Sequence, residues 1–143
     1  MESKQSCFPI LSLLSFDSEI WLWKLEKAKS NPEDTYIMTA RAPGSREAIF
    51  AYFESQGAGI PMENIITTEG TEYTSGEFAG ENKKGIEIIN FYAGKYNGKQ
   101  YNRINFSDDY NNNVEAVKYF KDKLGIDGEV YRTYASADLK ICR

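Results

Sequence analysis

The sequence contains no histidine, and this limits the chemistry that its side chains can perform. Without imidazole there is no Ser-His or Cys-His nucleophile, no imidazole zinc site and no histidine general base. The remaining chemistry belongs to carboxylates, lysines, hydroxyls and a hard metal ion. The two cysteines, Cys7 and Cys142, lie at opposite ends of the chain, so their spacing indicates neither a metal site nor a disulfide framework.

Candidate reactive groups occur where short apolar runs end. Thr39 closes the uncharged run at residues 35–39, and Asp108 and Asp109 directly follow the run at residues 103–107. In an open α/β sheet, ligands bind beyond the carboxyl ends of the strands. The pattern therefore predicts that this hydroxyl and these paired carboxylates lie at the ligand-binding edge of a sheet.

The elements that must position these groups alternate between short β-rich runs and longer amphipathic stretches, which is typical of βα units. The predicted strands are residues 10–16, 35–39, 64–68, 103–107 and 128–134. The predicted helices are residues 19–29, 45–56 with Ser45 as the cap and Gly57 as the left-handed stop, 83–93, and 112–124 stopped by Gly125. The expected fold class is α/β: a three-layer sandwich with a mostly parallel, Rossmann-like sheet and helices on both faces.

Two loops interrupt this alternation. Residues 69–82 are rich in Glu, Gly, Thr and Ser, which predicts a loop or small hairpin and makes this segment the candidate for a small lid. Residues 94–101 predict a second loop with a turn at Asn97-Gly98. Because no internal repeat or linker occurs, we expect a single domain over residues 1–143.

Two segments carry a family resemblance: TYIMTARAPGSREAIFAYFESQG, with Thr39 at the end of its strand, and INFSDDYNNNVEAV, with Asp108 and Asp109. Between them, Lys83 and Lys84 open a helix. In this order and spacing, the segments and the lysines resemble the second, fourth and third motifs of the haloacid-dehalogenase-like (HAD) phosphatase superfamily. Lys84 is the preferred match to the third-motif lysine, with Lys83 close behind.

The resemblance implies a Mg²⁺-dependent phosphohydrolase that acts on a small phosphorylated metabolite or nucleotide. It implies that Thr39 donates to a phosphoryl oxygen and that Lys84 offsets the charge of the phosphate and the nucleophile. It also implies that Asp108 and Asp109 hold a hydrated Mg²⁺ ion, which would stabilise an in-line phosphoryl transfer. The further candidate phosphate ligands are Arg41 and Lys83.

The first motif of the family, Asp-x-Asp, is missing from this sequence. The nearest candidate for its nucleophile is Asp17, which directly follows residues 10–16 and would also be a metal ligand. A central strand at residues 10–16 favours this assignment. The short spacing between Asp17 and Thr39 opposes it, because it leaves no room for the flap that normally follows the nucleophile. The alternative is that Asp17 caps the following helix.

The other candidates also have plainer interpretations. Asp108 and Asp109 are residue types that start turns and helices, Thr39 can be an ordinary strand end, and a lysine pair at a helix start is usually solvated. The alternative function is therefore a catalytically degenerate HAD-like domain that binds phosphate, metal or protein without a nucleophile. A third interpretation is a family member whose first motif lies outside this chain.

The composition indicates which partners to expect. Seventeen Lys and Arg against twenty-one Asp and Glu give a net charge of -4, the opposite of the basic surface that free duplex nucleic acid requires. The apolar stretch at residues 8–16 is too short to span a bilayer, so we expect a cytoplasmic protein with no membrane partner and no targeting signal. Trp21 and Trp23 are two positions apart on a predicted helix and cannot share one face well. The more exposed of the two could lie at a subunit contact, so a homo-oligomer is possible.

Overall fold

The computed structural model describes residues 18–133, with side chains from Lys24 onward. The predicted strand at residues 10–16 and the candidate nucleophile Asp17 lie outside the described residues. The described chain forms two compact units: the first contains the residues up to Glu69 together with Thr133, and the second is Gly70–Arg132. The single domain over residues 1–143 stays a prediction.

The described part of the first unit contains two helices and two short strands: α1 (Ser18–Ser30), β1 (Ile37–Thr39), α2 (Arg46–Ser55) and β2 (Ile65–Thr67). Three short 3-10 turns connect them: Pro32–Asp34, Pro43–Ser45 and Met62–Asn64. The two strands are parallel neighbours, with Ile37 opposite Ile65 and Thr39 opposite Thr67. The core consists of buried apolar side chains: Leu25, Ala28, Ile49, Phe53, Ala58, Ile60 and Ile65. Burial of this apolar surface is the main favourable contribution to the folding of the unit.

The ends of α2 show one correct prediction and one error. Gly57 adopts a left-handed φ of 83° directly after the helix, as predicted for its stop. Ser45, however, forms no capping hydrogen bond, because it ends the 3-10 turn Pro43–Ser45 with helical backbone angles. Its hydroxyl instead donates back to the Ala42 carbonyl at 2.8 Å.

Two polar side chains fix β2 in the first unit. Arg46, at the start of α2, donates through Nε to the Ile65 carbonyl at 3.0 Å and through Nη2 to Thr67 Oγ1 at 3.2 Å. Asn64 is fully buried and donates through Nδ2 to the carbonyls of Glu33 and Thr35 at 2.9 and 3.0 Å. These bonds satisfy backbone groups that burial would otherwise leave unpaired.

The second unit begins with a hairpin-like loop and continues with α3 (Lys83–Tyr92), β3 (Phe106–Asp108), α4 (Asn111–Lys123) and β4 (Val130–Arg132). An isolated antiparallel bridge between Glu72 and Asn82 closes the loop. That this segment is a small lid or hairpin insert stays a prediction. The predicted turn at Asn97-Gly98 is also confirmed, since both residues have positive φ values of 57° and 67°.

Strand β3 is shifted from its predicted position at residues 103–107. It pairs in parallel with β4 so that Phe106 lies opposite Val130 and Asp108 lies opposite Arg132. Arg103 forms only an isolated bridge, with Asp127. The carboxylate of Asp108 is therefore carried by the last residue of the strand, where the backbone pairing fixes its position.

Helices α3 and α4 pack closely against each other because Gly85 has no side chain. A Cβ atom at this position would lie 2.9 Å from the Ala116 Cβ and 3.1 Å from Phe120 Cδ2. The described strands form two separate parallel pairs, β1 with β2 and β3 with β4. The protein is thus a mixed α/β structure with short parallel strand pairs and helices packed against strands. No helix within residues 18–133 has the length and apolar character needed to cross a membrane.

Gly85→Ala is expected to destabilise the protein by about 1 to 3 kcal/mol, because the added methyl overpacks the contact with Ala116, which cannot move aside cheaply. This outweighs the gain in helix propensity of up to about 1 kcal/mol. Gly59→Ala is the matched control, since an added Cβ there meets nothing within 4 Å. Urea denaturation measures both free energies of unfolding, and an unchanged Gly85→Ala variant would contradict the packing account.

Candidate functional site

A nearly buried ion pair joins the start of α3 to the end of β3. The Lys84 ammonium donates to Asp108 Oδ2 at 2.6 Å, and the two side chains are only 10% and 9% exposed. Removing both charges from water is costly, so the pair persists only where close geometry and further hydrogen bonds compensate for the lost hydration. This geometry brings together the predicted third-motif lysine and the first of the predicted metal ligands.

Both oxygens of the Asp108 carboxylate accept further hydrogen bonds. The Tyr110 backbone N–H donates to Oδ1 at 2.8 Å, and Asn113 Nδ2 donates to Oδ2 at 3.4 Å. Asn113 in turn accepts from Asn82 Nδ2 at 2.8 Å, while Asn82 caps α3 by accepting from the Gly85 N–H at 2.9 Å. A continuous polar chain therefore links the first turns of α3 and α4 through the carboxylate.

The neighbouring carboxyl group, Asp109, has the opposite electrostatic character. Burial by itself would raise the pKa of Asp108, but the charge and hydrogen bond of Lys84 and the N–H of Tyr110 bring it below its ordinary value. The pKa of Asp109 is raised, first by burial and then by the charge of Asp108 and a hydrogen bond between the two side chains. Asp108 is therefore a stabilised anion, whereas the anionic form of Asp109 is disfavoured.

Arg132 is another basic residue at this end of the β3–β4 pair. Its Nε atom donates to the Asp109 carbonyl at 3.3 Å, and its own strand position lies opposite Asp108. The contact fixes the backbone of Asp109. Two basic residues from separate elements, Lys84 and Arg132, thus approach the acidic pair.

Asp108 and Asp109 are the residues that could hold a Mg²⁺ ion. Carboxylate oxygens are preferred Mg²⁺ ligands, and protein sites often supply only one or two of them while the ion keeps several waters. Burial and then the charge of Asp108 raise the pKa of Asp109, so a bound cation would favour its anionic form, and the two carboxyl groups fit a hydrated dication. Within residues 18–133, no three or more Asp, Glu or Cys side chains gather as a larger metal-binding cluster.

Two other predicted phosphate ligands, Thr39 and Lys83, have different surroundings from those of Lys84. Thr39 is buried in the first unit, where its Oγ1 atom accepts from the Arg41 N–H at 3.2 Å and its carbonyl accepts from the Thr68 N–H at 2.7 Å. Lys83 belongs to the second unit, and its ammonium lies 5.3 Å from the centre of the Tyr73 ring. Their roles as phosphate ligands stay predictions.

Three contributors to the site were not identified from the sequence: Asn82, Asn113 and Arg132. A signal existed for Asn82, because asparagine directly before a helical stretch is a typical N-cap. Asn113 was hidden among three consecutive asparagines, which read as ordinary helix-start residues. Arg132 had no local signal, because its position depends on the pairing of β4 with β3.

No protein-family model, curated protein or solved structure matches this chain. The structure by itself defines the class of this protein as mixed α/β. The resemblance to HAD phosphatases stays a prediction that rests on the motifs quoted above.

Asp108→Asn and Asp109→Asn are expected to change the free energy of unfolding at pH 7 in opposite directions. The first substitution leaves the Lys84 ammonium nearly buried without its carboxylate, which costs on the order of 3 kcal/mol. The second removes a disfavoured anion and keeps a hydrogen-bond donor for Asp108, so stability rises. Chemical denaturation of both variants measures the two effects; equal destabilisation would contradict the electrostatic account.

The pH dependence of these variants follows from the two pKa shifts. Because the pKa of Asp108 is lowered by folding, its stabilising contribution is present above the ordinary aspartate pKa and is lost as the pH falls through its folded value. Because the pKa of Asp109 is raised, its contribution is present below the ordinary value and is lost as the pH rises through its folded value. Asp109→Asn should therefore gain stability over wild type progressively across that rise.

Lys84→Met is expected to destabilise the protein by about 3 kcal/mol, since it leaves the Asp108 carboxylate without its cation. The double variant with Asp108→Asn should lose less than the sum of the two single losses, because both substitutions remove the same interaction. Lys83→Met is the neighbouring control, for which loss of the contact with the Tyr73 ring costs about 0.5 to 1 kcal/mol. Strict additivity in a double-mutant cycle would show that Lys84 and Asp108 are not coupled.

Proposed function

We propose that this protein is a HAD-like, Mg²⁺-dependent phosphohydrolase that acts on a small phosphorylated metabolite or nucleotide. The observation that carries the proposal is the arrangement of Lys84, Asp108 and Asp109 at the carboxyl end of β3. In this arrangement a disfavoured carboxyl group adjoins a buried ion pair. Perturbed carboxyl groups of this kind are more frequent at functional sites than elsewhere, because packing alone gains nothing from them.

The residues of the second unit would act through binding and orientation. Asp108 and Asp109 would hold the Mg²⁺ ion, which when bound neutralises negative charge on a phosphoryl group. Lys84 has three N–H donors, of which Asp108 accepts one, so the ammonium can also donate to an anionic ligand. The hydrogen bonds from Tyr110 and Asn113 keep Asp108 in one orientation.

The remaining roles in this proposal belong to the first unit and to Asp17. Thr39 and Arg41 are the proposed phosphate ligands, and Asp17 is the proposed nucleophile. The parallel pairing of β1 with β2 and of β3 with β4 supports the finer fold of the proposal, a mostly parallel HAD-like sheet with helices on both faces.

A second candidate function is a HAD-like domain that binds phosphate and metal without hydrolysis. Two specific observations favour it. The sequence has no Asp-x-Asp motif, and both oxygens of Asp108 already accept hydrogen bonds within the protein. Such a domain would keep the ligand-binding groups and lack the chemical step.

Hydrolysis of para-nitrophenyl phosphate by the full chain, with and without EDTA, separates these functions. The decisive variant is Asp109→Asn, because it should raise stability while lowering kcat/KM on the order of 100-fold through loss of a charged ligand. Asp17→Asn tests the nucleophile and should abolish turnover. Asp122→Asn, an exposed carboxyl group near the end of α4, is the control that should leave activity unchanged.

Each outcome of this experiment has a definite meaning. Turnover that requires Mg²⁺, Asp17 and Asp109 supports the phosphohydrolase. Absence of turnover together with a higher Tm in Mg²⁺ and inorganic phosphate, lost in Asp109→Asn, supports the binding domain. Neither turnover nor any ligand-dependent rise in Tm would overturn both.

A further inference from the structure

Two large hydrophobic side chains are exposed among the described residues: Tyr119 is 58% exposed and Tyr110 is 46% exposed. Tyr119 lies on the outer face of α4, where its ring packs edge-on against Phe120 at 5.1 Å and the Lys123 ammonium lies 5.6 Å from its centre. These contacts explain the exposed position of Tyr119, because its ring packs on neighbouring side chains of the same helix. Within the described part of the chain, no aromatic ring or cation packs in this way on Tyr110.

Tyr110 is held in place at both of its polar ends. Its backbone N–H donates to Asp108 Oδ1 at 2.8 Å, so the residue is attached directly to the acidic pair. Its phenolic oxygen accepts from Asn112 Nδ2 at 2.9 Å. Both groups could have been hydrated instead, so these bonds restrict an aromatic ring that remains open to solvent. A restricted aromatic ring loses little conformational entropy when a ligand packs against it.

The charge distribution around the ring suggests which ligand would use it. The ring is two residues from Asp108, whose partner Lys84 has ammonium donors that suit an anionic group. A ligand that places a phosphoryl group at this charged site and carries a planar ring would bring that ring toward Tyr110. Stacking on an aromatic side chain tolerates any planar ring, because every such ring presents a π-face.

We propose that Tyr110, held by Asn112, is a specificity-determining residue that stacks on a planar aromatic ring of the phosphorylated ligand. The inference rests on the proposed function and narrows its substrate class to monophosphate esters that bear an aromatic ring. The ring is either attached directly to the phosphate, as in an aryl phosphate, or separated from it by a sugar, as in a nucleoside monophosphate. Aliphatic phosphates of similar size bind more weakly.

Equilibrium binding of non-hydrolysable phosphonates, measured by calorimetry on the full chain with Mg²⁺, tests this inference. Phenylphosphonate is compared with cyclohexylphosphonate, which has similar size but no planar ring. The methylenephosphonate analogue of AMP is compared with that of ribose 5-phosphate. In at least one pair, the ligand with the aromatic ring should bind about fivefold more tightly, and the pair that shows the preference identifies the source of the ring.

Tyr110→Ala should abolish this preference without weakening the ring-free ligand of the same pair. Tyr110→Phe should keep most of the preference, since it retains the ring and loses only the hydrogen bond from Asn112. Tyr119→Ala is the matched control and should bind all ligands as wild type does. The Tyr110 backbone N–H remains in each variant, so its bond to Asp108 is preserved.

Failure of this inference and failure of the proposed function give different results. Binding of the phosphonates without any preference for a ring, or a preference that survives Tyr110→Ala, overturns the role of Tyr110 alone. If wild type binds neither inorganic phosphate nor any of the four phosphonates, the proposed function is wrong and the inference fails with it.

Discussion

The nearly buried ion pair of Lys84 and Asp108 is the interaction on which the second unit depends most directly. Two opposite charges out of water are tolerated only when close contact and further hydrogen bonds compensate for the lost hydration. The contact requires that α3 and β3 keep the Lys84 ammonium 2.6 Å from Asp108 Oδ2. Close packing of α3 on α4 at Gly85 and the bond between Asn82 and Asn113 both serve this requirement. The ion pair thus couples helix packing to the position of a carboxylate.

Asp109 is a destabilising component of this arrangement, because its charged form is disfavoured. A second carboxyl group beside Asp108 gains little from Lys84, and burial disfavours its charge. Stability alone would favour an uncharged side chain there, because an amide could make the same donated hydrogen bond. Natural sequences carry such local conflicts mainly where binding or catalysis uses them. This is the physical reason for placing the candidate site at the end of β3.

The two units differ in the polar contacts that join their helices and strands. In the first unit, isoleucine, leucine and phenylalanine side chains form a continuous apolar core, and the buried Asn64 and half-buried Arg46 bond to backbone carbonyls. The second unit also buries apolar side chains, including Ile88 and Val117 on its two helices, and charged and amide side chains add connections among α3, β3 and α4. A polar network of this kind is strong only when all of its members are present, since each missing partner leaves a buried polar group unsatisfied. Substitutions around Asp108 should therefore be strongly coupled.

The sequence by itself determined the order of the helices and strands within residues 18–133, and it placed the helix ends well where local chemistry sets them. Gly57 and Gly125 end α2 and α4 because both adopt left-handed backbone angles that other residues rarely take. Two local patterns failed, one because of a neighbouring turn and one because of pairing with a distant strand. Ser45 lost its capping role to the preceding turn, and β3 moved to Phe106–Asp108.

For the candidate site too, the sequence identified some of the residues, whereas their geometry required the tertiary structure. Residue type and spacing selected Lys84, Asp108 and Asp109, because charged side chains at the start of a helix and the end of a strand are visible in the sequence. The ion pair itself, the shared network through Asn113 and the opposite pKa shifts of the two carboxyl groups required the tertiary structure. Those properties depend on distances between residues 24 to 31 positions apart in the chain, and on burial, which no local pattern fixes.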